Sequence, residues 1–432
     1  MDLIAATQPQ RTRKGYYVYL TEACNLRCDY CFVREKQNHR HMSEDMAGRV
    51  LSFIQRDAAS LKEIYVHFFG GEPLIRPDLV DYFSQELRNW STTSETTIRL
   101  GITTNGTLLS EVNCDLLARH GIGVQLSLDG SQAGNDVHRR VMGRADAGDS
   151  SRFGAYKLVQ IERYIERFGK ERPNCRMTLT VQNLPYLLKS VQELHQRGFL
   201  SFSIIPDFES DQWSPEALRI YQSEMAKVFE YWARNQAISI NTVEQTIQKL
   251  LRKREASQSC AVGEGLLGIT VDGDLYPCHD FAGRYAAEPA HSEKLLLGNV
   301  ETGFLADRPR GIETRFTNEM QSPNGHDCAT CWARWVCGRG CPFMNYSHGV
   351  ECRTVNGTYC ETARINSTLA LQWMSVLDGF GFVDGKRAPQ RRPRAEHAVG
   401  ASGNERKCGC RTHEDTGEVA GQHHETTLGA LV

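Results

Sequence analysis

Fifteen cysteines stand in this chain of 432 residues, and their spacing carries more chemistry than any other feature. Cys24, Cys28 and Cys31 fall within the single stretch CNLRCDYCF, eight more lie between Cys260 and Cys360, Cys114 and Cys175 stand apart, and Cys408 and Cys410 sit in the tail. Thiols grouped in this way in a reducing compartment serve as metal ligands or catalytic groups rather than as disulfides. Three thiolates from one short loop suit a soft metal centre. A structural zinc site would want a fourth ligand, and only His39 and His41 are near; four irons held by three thiolates would instead leave one iron open to a substrate. Farther on, Cys260, Gly273 and Cys278 form C-x12-G-x4-C, and Cys328, Cys331, Cys337 and Cys341 form C-x2-C-x5-C-x3-C with Cys360 beyond. Thiolates at these spacings fit iron-sulfur clusters or a pair of structural zinc ions.

Such ligands need a scaffold, and the pattern around them is that of βα units on a parallel sheet. Six strands are expected, at Tyr16 to Leu20, Glu63 to Phe68, Thr97 to Thr103, Gly123 to Leu128, Arg176 to Val181 and Phe202 to Ile205. Helical periods follow at Glu44 to Arg56, Pro77 to Asn89, Leu109 to His120, Tyr156 to Arg167 and Pro185 to Arg197. Six units are two short of a closed barrel of about eight, so the expected fold is α/β, an open parallel (β/α)6 barrel with ligands at the carboxyl ends of its strands. The first cysteine loop follows the first strand directly. Gly70, Gly71, Glu72 and Pro73 follow the second, TTNG the third and SLDG the fourth.

Pro215 to Lys253 reads as helical, after which the composition shifts to Cys, Gly and short turns, where metal ligation substitutes for an apolar core. The expected organisation is an N-terminal segment 1–15, a barrel 16–210, a helical bridge 211–255, a cysteine-rich region 256–375 and a disordered tail 385–432. Lys plus Arg is 50 against 52 Asp plus Glu, a net charge of -2 that gives no bulk reason to expect nucleic acid or an anionic membrane as partner. No apolar run approaches the roughly 20 residues that span a bilayer, and MDLIAATQPQRTRKG holds no signal peptide, so a cytoplasmic location is expected.

The C-x3-C-x2-C loop with Tyr30 before its last cysteine resembles the radical S-adenosylmethionine (SAM) enzymes. The resemblance implies that Cys24, Cys28 and Cys31 hold a 4Fe-4S cluster whose open iron binds the amino and carboxyl groups of SAM. Reductive cleavage of SAM then gives a 5'-deoxyadenosyl radical that abstracts hydrogen. Gly70, Gly71, Glu72 and Pro73, an ordinary turn if taken alone, are similar to the family segment that receives the amino group of SAM. Asn105 in TTNG and Ser127 in SLDG match further cofactor-binding positions. Ser127 and Arg139 are candidates for the cofactor carboxylate, to which an arginine fork is suited; a surface ion pair is the other reading of Arg139.

The second cysteine region resembles the SPASM extension of radical enzymes that modify peptides and proteins. By that resemblance Cys260, Cys278 and Cys341 hold one auxiliary cluster and Cys328, Cys331, Cys337 and Cys360 another, making three 4Fe-4S clusters, with Cys352 a spare thiol. The anaerobic sulfatase-maturing branch has an aspartate directly after the ligand matching Cys278, where this chain has His279 followed by Asp280. His279 is a candidate base or a loop-orienting residue, and Asp280 keeps sulfatase maturation in view. The expected function is maturation of a ribosomally made peptide by an oxidative crosslink, carbon-carbon or thioether. The alternatives are formylglycine formation on a sulfatase, epimerisation with Cys114 or Cys175 as hydrogen-donating thiol, and a non-catalytic zinc or electron-transfer protein.

The expected partners are a precursor peptide and an electron donor such as flavodoxin or ferredoxin. About 15 residues precede the first strand, too few for a leader-binding winged helix, so a separate leader-binding protein is a further candidate. Cys408, Cys410, His413, His423 and His424 could bind metal if ordered, and the basic run Lys386 to Arg394 could hold an acidic leader.

Overall fold

The six alternating runs form six parallel strands in chain order. A computed structural model describes residues 12–33, 39–141, 154–169, 173–209, 213–235, 237–252, 262–263, 265–306, 328, 330–338, 340–347, 356–376, 382–383 and 386–387. Cys260, Cys352 and the tail cysteines and histidines lie outside these residues. The strands are β1 (Arg13–Thr21), β2 (Glu63–Gly70), β3 (Thr97–Thr104), β4 (Gly123–Ser127), β5 (Asn174–Leu179) and β6 (Ser201–Pro206), each pairing in parallel with the next. Between them run α1 (Glu44–Asp57), α2 (Pro77–Thr93), α3 (Glu111–Arg119), the short α4 (Gln132–Asn135), α5 (Ile161–Phe168) and α6 (Leu187–Gln196). Ser43 and Ser110 start α1 and α3 by accepting backbone N–H groups two to three positions into the helix, which is why α3 begins after Leu109 rather than at it.

The expected continuous helix from Tyr156 is broken. A 3-10 turn, Tyr156–Leu158, ends at an extended Val159, and Gln160 N donates to Gly106 O at 3.1 Å before α5 begins. The sheet is also wider than six strands. After α7 (Pro215–Arg234) a two-residue β7 (Ser239–Ile240) pairs with β6, and α8 (Asn241–Arg252) follows. On the other side β8 (Leu266–Ile269), from the cysteine-rich region, pairs in parallel with β1. Antiparallel β9 (Asp274–Tyr276), β10 (Gly298–Asn299) and β11 (Gly303–Phe304) continue outward, and the sheet stays open with β11 and β7 at its edges. Sequence pattern missed β7 because two residues carry no period, and β8 because its run was read with the cysteine-rich region.

The remaining helices are α9 (His279–Tyr285), α10 (Pro289–Leu295), α11 (Arg334–Cys337), α12 (Pro342–Ser347) and α13 (Gly357–Val376), the last packed on α7 and α8. Residues 1–377 form one compact unit that takes in both boundaries expected near 210 and 255; residues 378–432 form a second, whose described part is the hairpin Phe382–Val383 with Lys386–Arg387. No helix of the described residues is long and apolar enough to cross a membrane.

Strand parity decides what faces the barrel interior. Tyr16 points outward, where its hydroxyl donates to Asp57 of α1, so Tyr17 and Tyr19 point inward. On β5, Cys175, Met177 and Leu179 are buried toward the helices while Arg176 and Thr178 alternate to the interior. Cys114 and Cys175 are both fully buried in the helix-facing layer, and Cys175 Sγ lies 2.9 Å from Leu128 O. Burial pushes both thiols up. Neither faces the interior, which removes the geometric basis for a hydrogen-donating thiol there.

Candidate active site

The cysteine loop leaves β1 at the carboxyl end of the sheet. Leu26 makes an antiparallel bridge with Val141, Arg27 N donates to Arg140 O at 2.8 Å, and the Arg27 guanidinium caps the carbonyls of Cys24 and Leu26 at 2.8 and 3.0 Å. Cys24 is buried, while Cys28 and Cys31 are half-buried. Leu26 N lies 3.4 Å and Asn105 Nδ2 3.9 Å from Cys24 Sγ, donors of the kind that stabilise a thiolate. Three thiols from one loop, one of them approached by N–H donors, fit a soft iron-sulfur centre.

The Gly70–Pro73 segment packs on the entry to this loop. Gly71 N donates to Thr21 O and Glu72 N to Ala23 O, both at 2.9 Å. Gly70 has φ +135°, and a Cβ on it would strike the Thr21 carbonyl, as one on Gly71 would strike that of Ala23. The glycines are thus needed for the backbone to approach the cysteine loop itself. The side chain of Glu72 turns inward and accepts from Leu74 N at 3.1 Å, Thr104 Oγ1 at 2.8 Å and Asn105 N at 2.7 Å. Asn105 in turn donates to Asn25 Oδ1 at 2.9 Å, and Asn25 to Thr107 at 2.7 Å. The GGEP, TTNG and cysteine segments therefore form one hydrogen-bonded unit.

Burial raises the Glu72 carboxyl from 4.5 to about 7, against the three donors that lower it. Because the folded state then holds the proton more tightly than the unfolded chain, this group's contribution to stability is complete below pH 4.5 and is lost as pH rises through about 7. The metal-free wild type is expected to lose stability across that window relative to Glu72→Gln, whose unfolding midpoint is lower but flatter with pH. Urea midpoints at pH 4.5 and 7.5 check this.

Arg139 reaches the site in a form the sequence did not show. Its Nε and Nη2 lie 2.9 and 3.1 Å from the two oxygens of Asp129, and the side chains are 8% and 0% exposed, so the pair is buried rather than a surface contact. Asp129 also accepts from Thr178 N at 2.9 Å and from the hydroxyl of Tyr30, whose ring lies 5.6 Å from the guanidinium. The fork expected for a cofactor carboxylate is thus engaged by Asp129. It ties the SLDG turn and β5 to the cysteine loop through Tyr30. Ser127 stands at the end of β4, beside Arg176 of β5. Asp129 lies within the SLDG motif, but its role as a buried partner of Arg139 is not visible in spacing.

The cysteine-rich region closes over the same end of the barrel. Gly273, the motif glycine, makes the β8–β9 turn at φ +79° and sets Cys278 at the start of α9. The His279 ring stacks on Tyr17 at 4.3 Å and meets Phe69 at 5.0 Å and Phe32, directly after Cys31, at 6.1 Å. Tyr19 Oη donates to His279 O at 2.8 Å. Burial, reinforced by Arg176, lowers the basicity of His279, while Asp280, 3.5 Å from Nε2, raises it; Nδ1 is buried with no hydrogen-bond partner among the described residues. Ligand atoms of Cys278, His279 and Asp280 all lie within 4.8 Å of one another.

Cys341 opens α12, whose Phe343 meets Phe281 of α9 at 5.4 Å and Phe32 at 6.4 Å. Cys278 and Cys341 thus head two helices packed together beside the first loop, while Cys260, the third expected ligand, lies outside the described residues. For the other set, burial pushes the Cys360 thiol up, opposed by Arg364 and reinforced by Glu361, Cys331 and Cys328, and Arg364 Nη2 lies 3.9 Å from Cys331 Sγ. Tyr359 donates to Cys337 O at 3.0 Å, and Lys249 Nζ donates to the neighbouring Val336 O at 3.2 Å.

Comparison with known proteins agrees with this geometry. Residues 18–152 match the Radical SAM superfamily. The chain is 33% identical over 336 residues to the serine-type anaerobic sulfatase-maturating enzyme of Klebsiella aerogenes, covering 74% of this chain and 77% of that protein. It is 26% identical over 311 residues to a tungsten-containing aldehyde ferredoxin oxidoreductase cofactor-modifying protein of Pyrococcus furiosus, 68% and 80% of the two chains. It is 24% identical over 349 residues to a PqqA peptide cyclase of Granulibacter bethesdensis, 76% and 82%. In fold it is similar to native anSMEcpe with bound AdoMet and Cp18Cys peptide, with a TM-score of 0.69 at 17% identity over 85% of this chain and 99% of that one. It is also similar to Streptococcus suis SuiB bound to precursor peptide SuiA, with a TM-score of 0.52 at 16% identity over 81% and 76%. With a SAM-type cysteine loop at the mouth of an open barrel and this degree of identity, the chain is a radical SAM enzyme, of the family that includes the anaerobic sulfatase-maturating enzymes.

Proposed function

We propose that the chain is a peptide maturase that installs an oxidative crosslink, carbon-carbon or thioether, in a ribosomally made precursor. The observation that carries this reading is the contact of the first cysteine loop with the cysteine-rich region, through Phe32, His279 and Phe343. It supports the reading because it brings Cys278 and Cys341, ligands by resemblance, close to the loop where hydrogen would be abstracted. When bound, SAM and the clusters on Cys24, Cys28 and Cys31, on Cys260, Cys278 and Cys341, and on Cys328, Cys331, Cys337 and Cys360 would supply hydrogen-atom abstraction and an acceptor for the remaining electron.

The chain's own residues do the rest. The Gly70–Pro73 segment, Asn105 and Ser127 would line the cofactor side of the mouth, and the aromatic wall of Tyr17, Tyr19, Phe32 and Phe69 would exclude water from it. His279, kept neutral by burial and with Nδ1 unpartnered, is the candidate to accept the substrate proton. The likeness to a PqqA peptide cyclase and to SuiB with its precursor peptide supports a peptide substrate.

Formylglycine formation is the second reading, favoured by the identity to a sulfatase-maturating enzyme and by Asp280 next to His279. Anaerobic co-expression with a precursor encoded beside this gene, and separately with a sulfatase peptide containing Cys or Ser, separates the two. A loss of two hydrogens that links two residues in the fragments of the precursor supports the crosslink. An unchanged precursor with an oxidised sulfatase peptide replaces it by formylglycine formation.

A further inference from the structure

Among the described residues, all but one of the arginines and lysines on the six barrel strands have carboxylate partners. Arg13 and Arg99 pair with Glu63 at 2.8 and 2.5 Å, and Lys14 pairs with Asp57 at 2.5 Å. Arg176 of β5 makes no ion pair and no side-chain hydrogen bond with any described residue. It is nonetheless half-buried and faces the interior, since its neighbours Cys175 and Met177 take the helix side of the strand.

Register sets Arg176 between Ser127 of β4 and Ser203 of β6, two hydroxyl-bearing residues of the same parity. Across the barrel stand Tyr17, His67 and His279, with Tyr17 stacked between the two imidazoles at 4.8 and 4.3 Å. His67 is further engaged by Tyr65 at 2.5 Å and Thr103 at 2.7 Å, so it offers Arg176 no anion. A guanidinium held half out of water without a counter-charge is costly unless a ligand supplies one.

We propose that Arg176, with the hydroxyl of Ser203 beside it on β6, anchors a carboxylate of the peptide substrate, either an Asp or Glu side chain or a chain terminus. The inference rests on the reading of the substrate as a peptide. The anchor sets the attacked residue against the His279 wall. Guanidinium and carboxylate match as planar forks, so the contact orients as well as attracts. The cofactor carboxylate is the other source of the same chemistry. By resemblance it belongs with Ser127 and the open iron of the Cys24–Cys31 loop, so SAM affinity and peptide KM, measured separately, tell the two sources apart.

The test uses the reconstituted holoenzyme as wild type, Arg176→Gln and Arg176→Lys. The probe is whichever of the adjacent-gene precursor and the sulfatase peptide the wild type modifies, together with variants in which each Asp or Glu is changed singly to Asn or Gln and one with an amidated C-terminus. Arg176→Gln is expected to raise the peptide KM about 10- to 100-fold, with Arg176→Lys between. One of these peptides, lacking a single carboxylate, is expected to show the same loss with the wild type and no further loss with Arg176→Gln. SAM affinity and peptide-independent 5'-deoxyadenosine formation stay unchanged. Independent, additive losses overturn the proposal, as does a weaker SAM affinity with an unchanged peptide KM, which would assign Arg176 to the cofactor. Should Arg176→Gln not fold, the peptide set on the wild type still decides: a peptide modified equally well whatever its charges overturns the inference alone. Cofactor cleavage with no peptide modified overturns the peptide reading along with it.

Discussion

Replacing Cys24, Cys28 and Cys31 together by alanine is expected to reduce 5'-deoxyadenosine formation to that of a buffer control and to remove about four irons per chain, one cubane's worth. The fold itself should survive. Of the three, only Cys24 is buried, and beside the long contacts of its Sγ with Leu26 N and Asn105 Nδ2 the loop is held by Arg27, Asn25 and the Leu26–Val141 bridge, which use no cysteine side chain. Iron analysis, a dithionite-driven SAM cleavage assay and far-UV circular dichroism of the variant give the three readouts. Unchanged cleavage would remove the loop from the chemistry, while loss of the dichroism signal would make it structural.

The second large effect is expected at Asp129. Asp129→Ala strands the Arg139 guanidinium in a site where the two side chains are 8% and 0% exposed, and removes the acceptor of Tyr30 and Thr178. Breaking a buried pair by deleting one partner costs about 3–5 kcal/mol, far more than an exposed pair contributes. The urea midpoint of the metal-free protein should fall accordingly with an unchanged slope. Asp129→Leu with Arg139→Met should regain much of the loss, since the deficit is a lone buried charge rather than a missing attraction. It should not regain cluster retention, because Tyr30 still lacks its anchor. If the single and double variants are equally unstable, the cost lies in the Tyr30 and Thr178 contacts instead.

How far the sequence reads ahead of the structure depends on whether a feature is local. The six strands, the helices between them and the placement of CNLRCDYCF, GGEP, TTNG and SLDG at strand ends follow from period and turn chemistry, both local. The additions at the sheet edges do not. β8 pairs with β1 across some 250 residues of chain, and nothing in its four apolar residues names that partner. The same limit applies to the site. Spacing picks out the cysteine-bearing stretches, and the resemblance sorts their thiols into sets, but Asp129 as the partner of Arg139, and Tyr17 as the platform for His279, depend on contacts between separate loops. Arg176 had a local signal in the alternation of Arg176 and Thr178 with Met177 and Leu179. Its unpaired state appears only when the neighbouring strands are in place.

Removal of hydrogen from a peptide at this site is read out by isotope transfer. A precursor deuterated at its carbon-bound positions, incubated anaerobically with the reconstituted enzyme, SAM and reductant, should pass one deuterium to 5'-deoxyadenosine for each crosslink formed. Crosslinked peptide with unlabelled 5'-deoxyadenosine would contradict the account, because the hydrogen would then have left by another route.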